Sequence, residues 1–245
     1  MPPPINAFEI FEICDNTTSS FNLTEIESVL VDDTTNVLFS YYNNYNDAES
    51  NNNPLAINYT YLSINDIIFV RIEDANTGCF YVYNFTLQIN PLPIAYQPND
   101  MEACDDESNN GLEAFDIESQ TNSVLGLQSP DEFTVTYYLN PTAAANGENS
   151  IGSLFTASNQ QLITVRIENN ITGCYSLTDF LLIVNPHPNI PQPLVECDTD
   201  YNAITQFNLT SAEEDLFVTT NPDNIISYFE SLDDLQTDSN PILNP

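Results

Sequence analysis

VRIENNITGCY at residues 165–175 repeats, with few changes, VRIEDANTGCF at residues 70–80. Ile163, Val165 and Ile167 alternate with Thr164, Arg166 and Glu168, the period-two pattern of a strand with one buried face. ENNITG and EDANTG carry turn chemistry, and a returning strand begins at each cysteine. The phrase predicts a β-hairpin in two copies.

The offset between the copies organises the rest of the chain. Arg71 and Arg166 are 95 positions apart, and so are Cys79 and Cys174. Upstream, FEICD (11–15), MEACD (101–105) and VECD (195–198) recur. LFSYYN (38–43), TVTYYLN (134–140) and IISYFE (225–230) lie between the markers, and FTLQINPLP (85–93) and FLLIVNPHP (180–188) close the first two units. Markers that keep both order and spacing define a tandem array, with units at 1–93, 94–188 and 189–245. The third unit carries the early markers and not the hairpin phrase. PLPIAYQP and PHPNIPQP read as stiff, extended spacers, because proline blocks both helix and ladder hydrogen bonds. Phe133, Val135 and Tyr137 form one strand face, with Thr134, Thr136 and Tyr138 opposite, and Phe180, Leu182 and Val184 form another row. SQTNSVLGLQ (119–128) reads as one or two helical turns. About seven strands per unit, with no βαβ rhythm, predict an all-β fold of tandem immunoglobulin-like β-sandwich repeats.

Charge narrows the function. The chain has 36 acidic side chains against two arginines and no lysine, a formal charge of −34. A phosphate backbone requires cationic counter-charge, so nucleic acid is excluded as a partner. No apolar run reaches the length of a membrane span, and MPPPINAFEIFEIC lacks the features of a signal peptide. The single histidine, His187, sits between prolines, and no carboxylate pair stands out from the general acidity, so no enzyme is expected.

Five cysteines without a CxxC pair favour disulfides over a metal site, and an oxidising compartment. The 65-residue gap in unit one and the 70-residue gap in unit two predict Cys14–Cys79 and Cys104–Cys174, leaving Cys197 free. An aspartate follows the first cysteine of each unit. Arg71 is therefore expected to clamp Asp15, and Arg166 to clamp Asp105, since arginine holds a carboxylate bidentately; stacking on Tyr42 or Tyr138 is an alternative. In CDDESNNGLEAFD (104–116), Asp106, Ser108, Asn110 and Gly111 fall at positions one, three, five and six of a calcium loop. The glutamate of position twelve is missing, with Ile117 in its place and Asp116 and Glu118 beside it. Asp106, Ser108, Asn110 and Asp116 are the candidate Ca2+ ligands, against the plainer reading of a polar turn.

The order CD, acidic loop, FDI, TVTYY, ITVRIENNITGCY and FLLIVNP resembles tandem repeats of very large Bacteroidota surface proteins. Those proteins are exported by type IX secretion and often end in a gliding-motility-associated sorting domain. The resemblance implies disulfide-bridged, immunoglobulin-like spacer or adhesin modules at the cell surface. The acidic loop matches the family's at Asp105, Asp106, Asn110, Gly111 and Asp116. The expected function is a non-catalytic extracellular spacer or adhesin, its partners neighbouring repeats and a surface polysaccharide or protein. The alternatives are carbohydrate-binding modules that stack sugars on Tyr42, Tyr45 and Tyr138, or a repeat region attached to a secreted hydrolase.

Overall fold

The computed structural model describes residues 3–15, 19–199, 204–216 and 224–245. They form two compact units, one of residues 1–101, 114–156 and 160–182, the other of residues 102–113, 157–159 and 183–245.

In the first repeat six strands are interleaved with short helices. The strands are β1 (Ile10–Cys14), β2 (Ser20–Asn22), β3 (Val37–Tyr42), β4 (Asn58–Thr60), β5 (Asn65–Asp74) and β6 (Phe80–Asn90). A 3₁₀ turn, Leu23–Ile26, runs into α1 (Glu27–Leu30), and α2 (Tyr45–Ser50) follows β3. One sheet has the order β1-β6-β5-β3 and the other pairs β2 with β4. Alternation explains the core. Ile68, Val70 and Ile72 of β5 and Phe85, Leu87 and Ile89 of β6 are buried in one cluster with Phe21, Leu23, Ile26, Leu30 and Tyr59. Each such side chain contributes about 1.5–3 kcal/mol on burial.

The second repeat reuses the plan with β7 (Met101–Cys104), β8 (Leu112–Asp116), β9 (Phe133–Tyr138), β10 (Leu154–Ser158), β11 (Gln161–Asn169) and β12 (Tyr175–Asn185). Its sheets run β7-β12-β11-β9 and β10-β8. The helical segment at 117–125 is a 3₁₀ turn, Ile117–Gln120, leading into α3 (Thr121–Leu125), and α4 (Pro141–Asn146) follows β9.

The all-β sandwich is therefore present in tandem, with six strands per complete repeat among the described residues where about seven were expected. In the third repeat the described residues form a 3₁₀ segment, Leu209–Asp215, and α5 (Leu232–Gln236). IISYFE at 225–230 contains no strand; Tyr228 instead bonds through its hydroxyl to Glu213 Oε1 (2.6 Å).

The proline-rich spacers also differ from expectation. Residues 93–100 lie along the second repeat: Ser176 Oγ donates to the Pro93 carbonyl (2.7 Å), the Tyr96 N–H to the Val124 carbonyl (3.2 Å), and the Leu181 N–H to Asp100 Oδ1 (2.8 Å). Proline keeps the segment extended, and its remaining polar groups bond to the repeat that follows.

Candidate functional site

The cysteines sit at opposite ends of each repeat. β1 pairs in parallel with β6, so Cys14 is level with Asn90, and the Asp15 N–H donates to the Asn90 carbonyl (2.8 Å). Cys79 precedes Phe80, at the other end of that 11-residue strand. At about 3.3 Å per residue the two are roughly 35 Å apart along the strand, whereas a disulfide needs Cα atoms within about 7 Å. A Cys14–Cys79 bond is ruled out. Likewise Cys174 precedes β12, while the Asp105 N–H donates to the carbonyl of Asn185, the last residue of β12 (2.8 Å), so Cys104–Cys174 is ruled out as well. The bond that forms is Cys14–Cys174, with Cα atoms 5.5 Å apart and a sequence separation of 160. Cys79, Cys104 and Cys197 are exposed thiols. Closing so long a loop stabilises the folded pair of repeats by roughly 5 kcal/mol on the chain-entropy account.

The arginines form a second repeated constellation. Asn44 Oδ1 accepts the Asp47 N–H (2.9 Å) and caps α2; Asn140 Oδ1 accepts the Ala143 N–H (2.8 Å) and caps α4. Each helix buries one alanine, Ala48 or Ala144. The last carbonyls of so short a helix form its negative end, and only the Ala144 carbonyl among those the arginines meet also accepts a cap N–H, from Gly147 (3.2 Å). Arg71 Nη1 donates to the carbonyls of Ala48 (3.3 Å) and Glu49 (3.1 Å). Arg166 Nη1 donates to those of Ala144 (2.9 Å) and Ala145 (2.8 Å). The Nε of each arginine donates to the glutamate two residues on, at 2.9 Å for Glu73 and 2.7 Å for Glu168. Each guanidinium also lies over the first ring of the returning strand, 3.3 Å from the Phe80 centroid and 3.6 Å from that of Tyr175. Both arginines are 8% exposed. The Nε and Nη1 donors of both are spent within the fold.

The clamp therefore pairs arginine with Glu73 and Glu168 rather than with Asp15 and Asp105. Arg71 lies opposite Val82, eight residues along β6 from Asn90, so Asp15 is carried roughly 25 Å past it. Asp15 accepts the Tyr61 hydroxyl (2.6 Å). Asp105 is buried and accepts the N–H groups of Asp106 (2.9 Å) and Gly111 (2.5 Å), closing its own loop. The true partner was legible, because R-x-E places both side chains on one strand face in both copies.

The acidic loop is held by Asx turns. Asp106 Oδ1 accepts from the Ser108 N–H (2.8 Å) and hydroxyl (2.5 Å), and Asn110 Oδ1 from the Leu112 N–H (2.8 Å). The Ser108 bonds hold the Asp106 carboxyl below the usual aspartate pKa. Asp116 ends β8, and its carbonyl accepts the Ser119 hydroxyl (2.6 Å). Among the described residues no group of three or more His, Cys, Asp or Glu is placed to hold a metal ion.

Of the tyrosines expected to meet sugars, Tyr42 and Tyr138 are buried. Both lie on the sheet face that α2 and α4 cover, and Tyr42 donates to Asn51 Oδ1 (2.6 Å). Tyr45 is exposed. Among the described residues no helix is long and apolar enough to cross a membrane.

No curated protein matches the chain. Among solved structures it is similar to extracellular domains 3–5 of Drosophila OTK, with 9% identity, 62% of this chain and 53% of that one covered, and a TM-score of 0.24. It is also similar to BT4661, a SusE-like surface-located polysaccharide-binding protein from the Bacteroides thetaiotaomicron heparin utilisation locus, with 11% identity, 63% and 30% covered, and a TM-score of 0.26. The chain spans about half of the first structure and less of the second, and overlaps this loose carry no functional argument. The sequence itself is informative: residues 10–93, 100–188 and 193–245 each match the model of one family, described as the Flavobacterium inter-domain disulphide bond domain.

Proposed function

The chain belongs to the Flavobacterium inter-domain disulphide bond domain family, and from that premise we propose that it is a non-catalytic extracellular stalk whose repeats are laced to one another covalently. The observation that carries this reading is the Cys14–Cys174 bond between the first and second repeats. Cys104 occupies in the second repeat the place of Cys14 in the first, and Cys79 the place of Cys174. The lacing rule joins the first cysteine of one repeat to the second cysteine of the next. In a longer array Cys104 and Cys197 take hairpin cysteines of following repeats, and Cys79 takes the first cysteine of a preceding one. Cell-surface display and type IX export enter this reading through the sequence resemblance.

The repeated constellations are a clamp and a bridge, and both act on the fold itself. Carbohydrate binding loses support because two of its three tyrosines are buried. Calcium at Asp106, Ser108, Asn110 and Asp116 has no part in the proposal, since the Asp106 and Asn110 oxygens hold the loop's own backbone. Small-angle scattering of the oxidised and reduced chain tests the stalk. Lacing predicts a narrower distribution of intramolecular distances when oxidised, and identical curves would contradict it. Saturable binding to a polysaccharide panel would restore the carbohydrate reading.

A further inference from the structure

The position of the bridge along the chain has a mechanical consequence. Cys14 lies at the end of β1, close to the start of the first repeat, and Cys174 lies at the start of β12, the last strand of the second. Tension entering along β1 reaches Cys14, crosses the disulfide, and leaves through β12. Residues 15–173 form a covalently closed loop beside that path. The loop contains β2 to β6 of the first repeat and β7 to β11 of the second, and with them Arg71, Arg166 and both hairpin turns.

We infer that the Cys14–Cys174 bridge is a load bypass that confines pulling force to β1, the disulfide and β12 and keeps residues 15–173 from being drawn out. The inference rests on the stalk reading, since only a protein under tension needs such a path. Bonds within each repeat would close two separate loops and leave β6, the spacer and β7 in the loaded path between them. Bonding first cysteine to next-repeat second cysteine overlaps the loops instead. Under the proposed lacing, Cys197 begins the next crossing, and the stretch from Cys174 to Cys197 is the backbone that bears load between them. The strands from β2 to β11 then lie beside a short covalent path rather than in it.

The test is single-molecule stretching of the 245-residue chain, held by terminal tags. It is run on oxidised protein whose Cys14–Cys174 bridge has been confirmed by peptide mass, then in reductant, then on Cys14→Ser. The bridge hides 160 residues of sequence, or roughly 55 nm of contour length at 3.3–3.6 Å per residue. The expected result is an oxidised trace without unfolding steps from the first repeat, and recovery of about 55 nm in steps once the bridge is reduced. The same gain should appear with Cys14→Ser, and Cys174→Ser provides a second variant should the first fold poorly. Steps of whole-repeat length in the bridged protein would overturn the inference. So would reduced protein that gains no length at the same loads, because the repeats would then bear tension unaided. Peptide mass showing Cys14 unpaired would overturn the lacing itself, which separates failure of the stalk reading from failure of the bypass.

Discussion

The first and second repeats share one clamp but seat their leading segments differently. In the first, the Asn6 N–H donates to the Leu30 carbonyl (2.7 Å), and its side chain donates to Asp32 Oδ1 (2.7 Å). In the second, the Tyr96 N–H makes the equivalent bond to Val124, and its ring lies on Gly126, where an added Cβ would come within 2.6 Å of a ring carbon. The third repeat keeps the backbone bond, from the Asn189 N–H to the Leu216 carbonyl (2.7 Å). The backbone contact recurs because extended chain offers the same donor whatever its side chain. The side-chain lock varies from copy to copy. The hairpin cysteines differ too: Cys174 is fully buried in its bridge, whereas Cys79, without one, is exposed.

The strongest way to break this comparison is to remove one cysteine of each kind. Cys14→Ser should lower stability in denaturant melts by as much as about 5 kcal/mol, and Cys79→Ser should change it by less than about 0.5 kcal/mol. Equal losses would mean that both cysteines are bridged.

The clamps come next, and here the repeats should agree. Arg71→Gln and Arg166→Gln should each cost about 3 kcal/mol, because helix carbonyls and a glutamate lose their partner together. Lysine should rescue only part, since it lacks the planar fork. The glutamate side chains are 25% exposed at Glu73 and 38% at Glu168, so Glu73→Gln should cost more than Glu168→Gln. In a double-mutant cycle Arg166→Gln and Glu168→Gln should be non-additive.

The leading-segment locks should separate the repeats again. Gly126 has φ +60°, and a side chain there meets the Tyr96 ring, so Gly126→Ala should cost about 1–3 kcal/mol and speed hydrogen exchange at the Tyr96 amide. Asp32→Ala removes one exposed hydrogen bond and should cost under about 1 kcal/mol.

The smallest effect is a difference in acid response between the hairpin turns. Asp74 accepts the Asn76 and Thr77 N–H groups (both 2.9 Å), and the Thr77 backbone bond holds its carboxyl below the ordinary aspartate value. A depressed folded pKa contributes stability above the unfolded pKa and loses it as pH falls through the folded one. In the second repeat Asn169 makes the same two bonds, to Ile171 (2.9 Å) and Thr172 (3.0 Å), and does not titrate. An NMR titration should therefore show the Thr77 amide shifting with a midpoint below 3.8 and the Thr172 amide unmoved in that range.

Much of the architecture is written in local pattern. Period-two runs around Val165 and Leu182 locate strands, and Thr-Gly before a cysteine locates the hairpins. Signals for α4 were present as well: Asn140 before Pro141, and Gly147 after the alanines, are a helix start and stop. Cysteine pairing was hidden for a deeper reason. Equal spacing in successive units is satisfied both by bonds within a repeat and by bonds to the next, and only the parallel register of β1 on β6 places the two cysteines at opposite ends. Register between distant strands has no local signature. The Asp15 and Asp105 assignments failed with it, because they assumed that the cysteine brought its neighbour to the hairpin.

The most direct test of the account is peptide mapping of the native chain under non-reducing conditions with its free thiols blocked. Covalent linkage between repeats predicts one bridged peptide pair joining Cys14 to Cys174, with Cys79, Cys104 and Cys197 recovered in blocked form. Recovery of Cys14 joined to Cys79, together with Cys104 joined to Cys174, would contradict it.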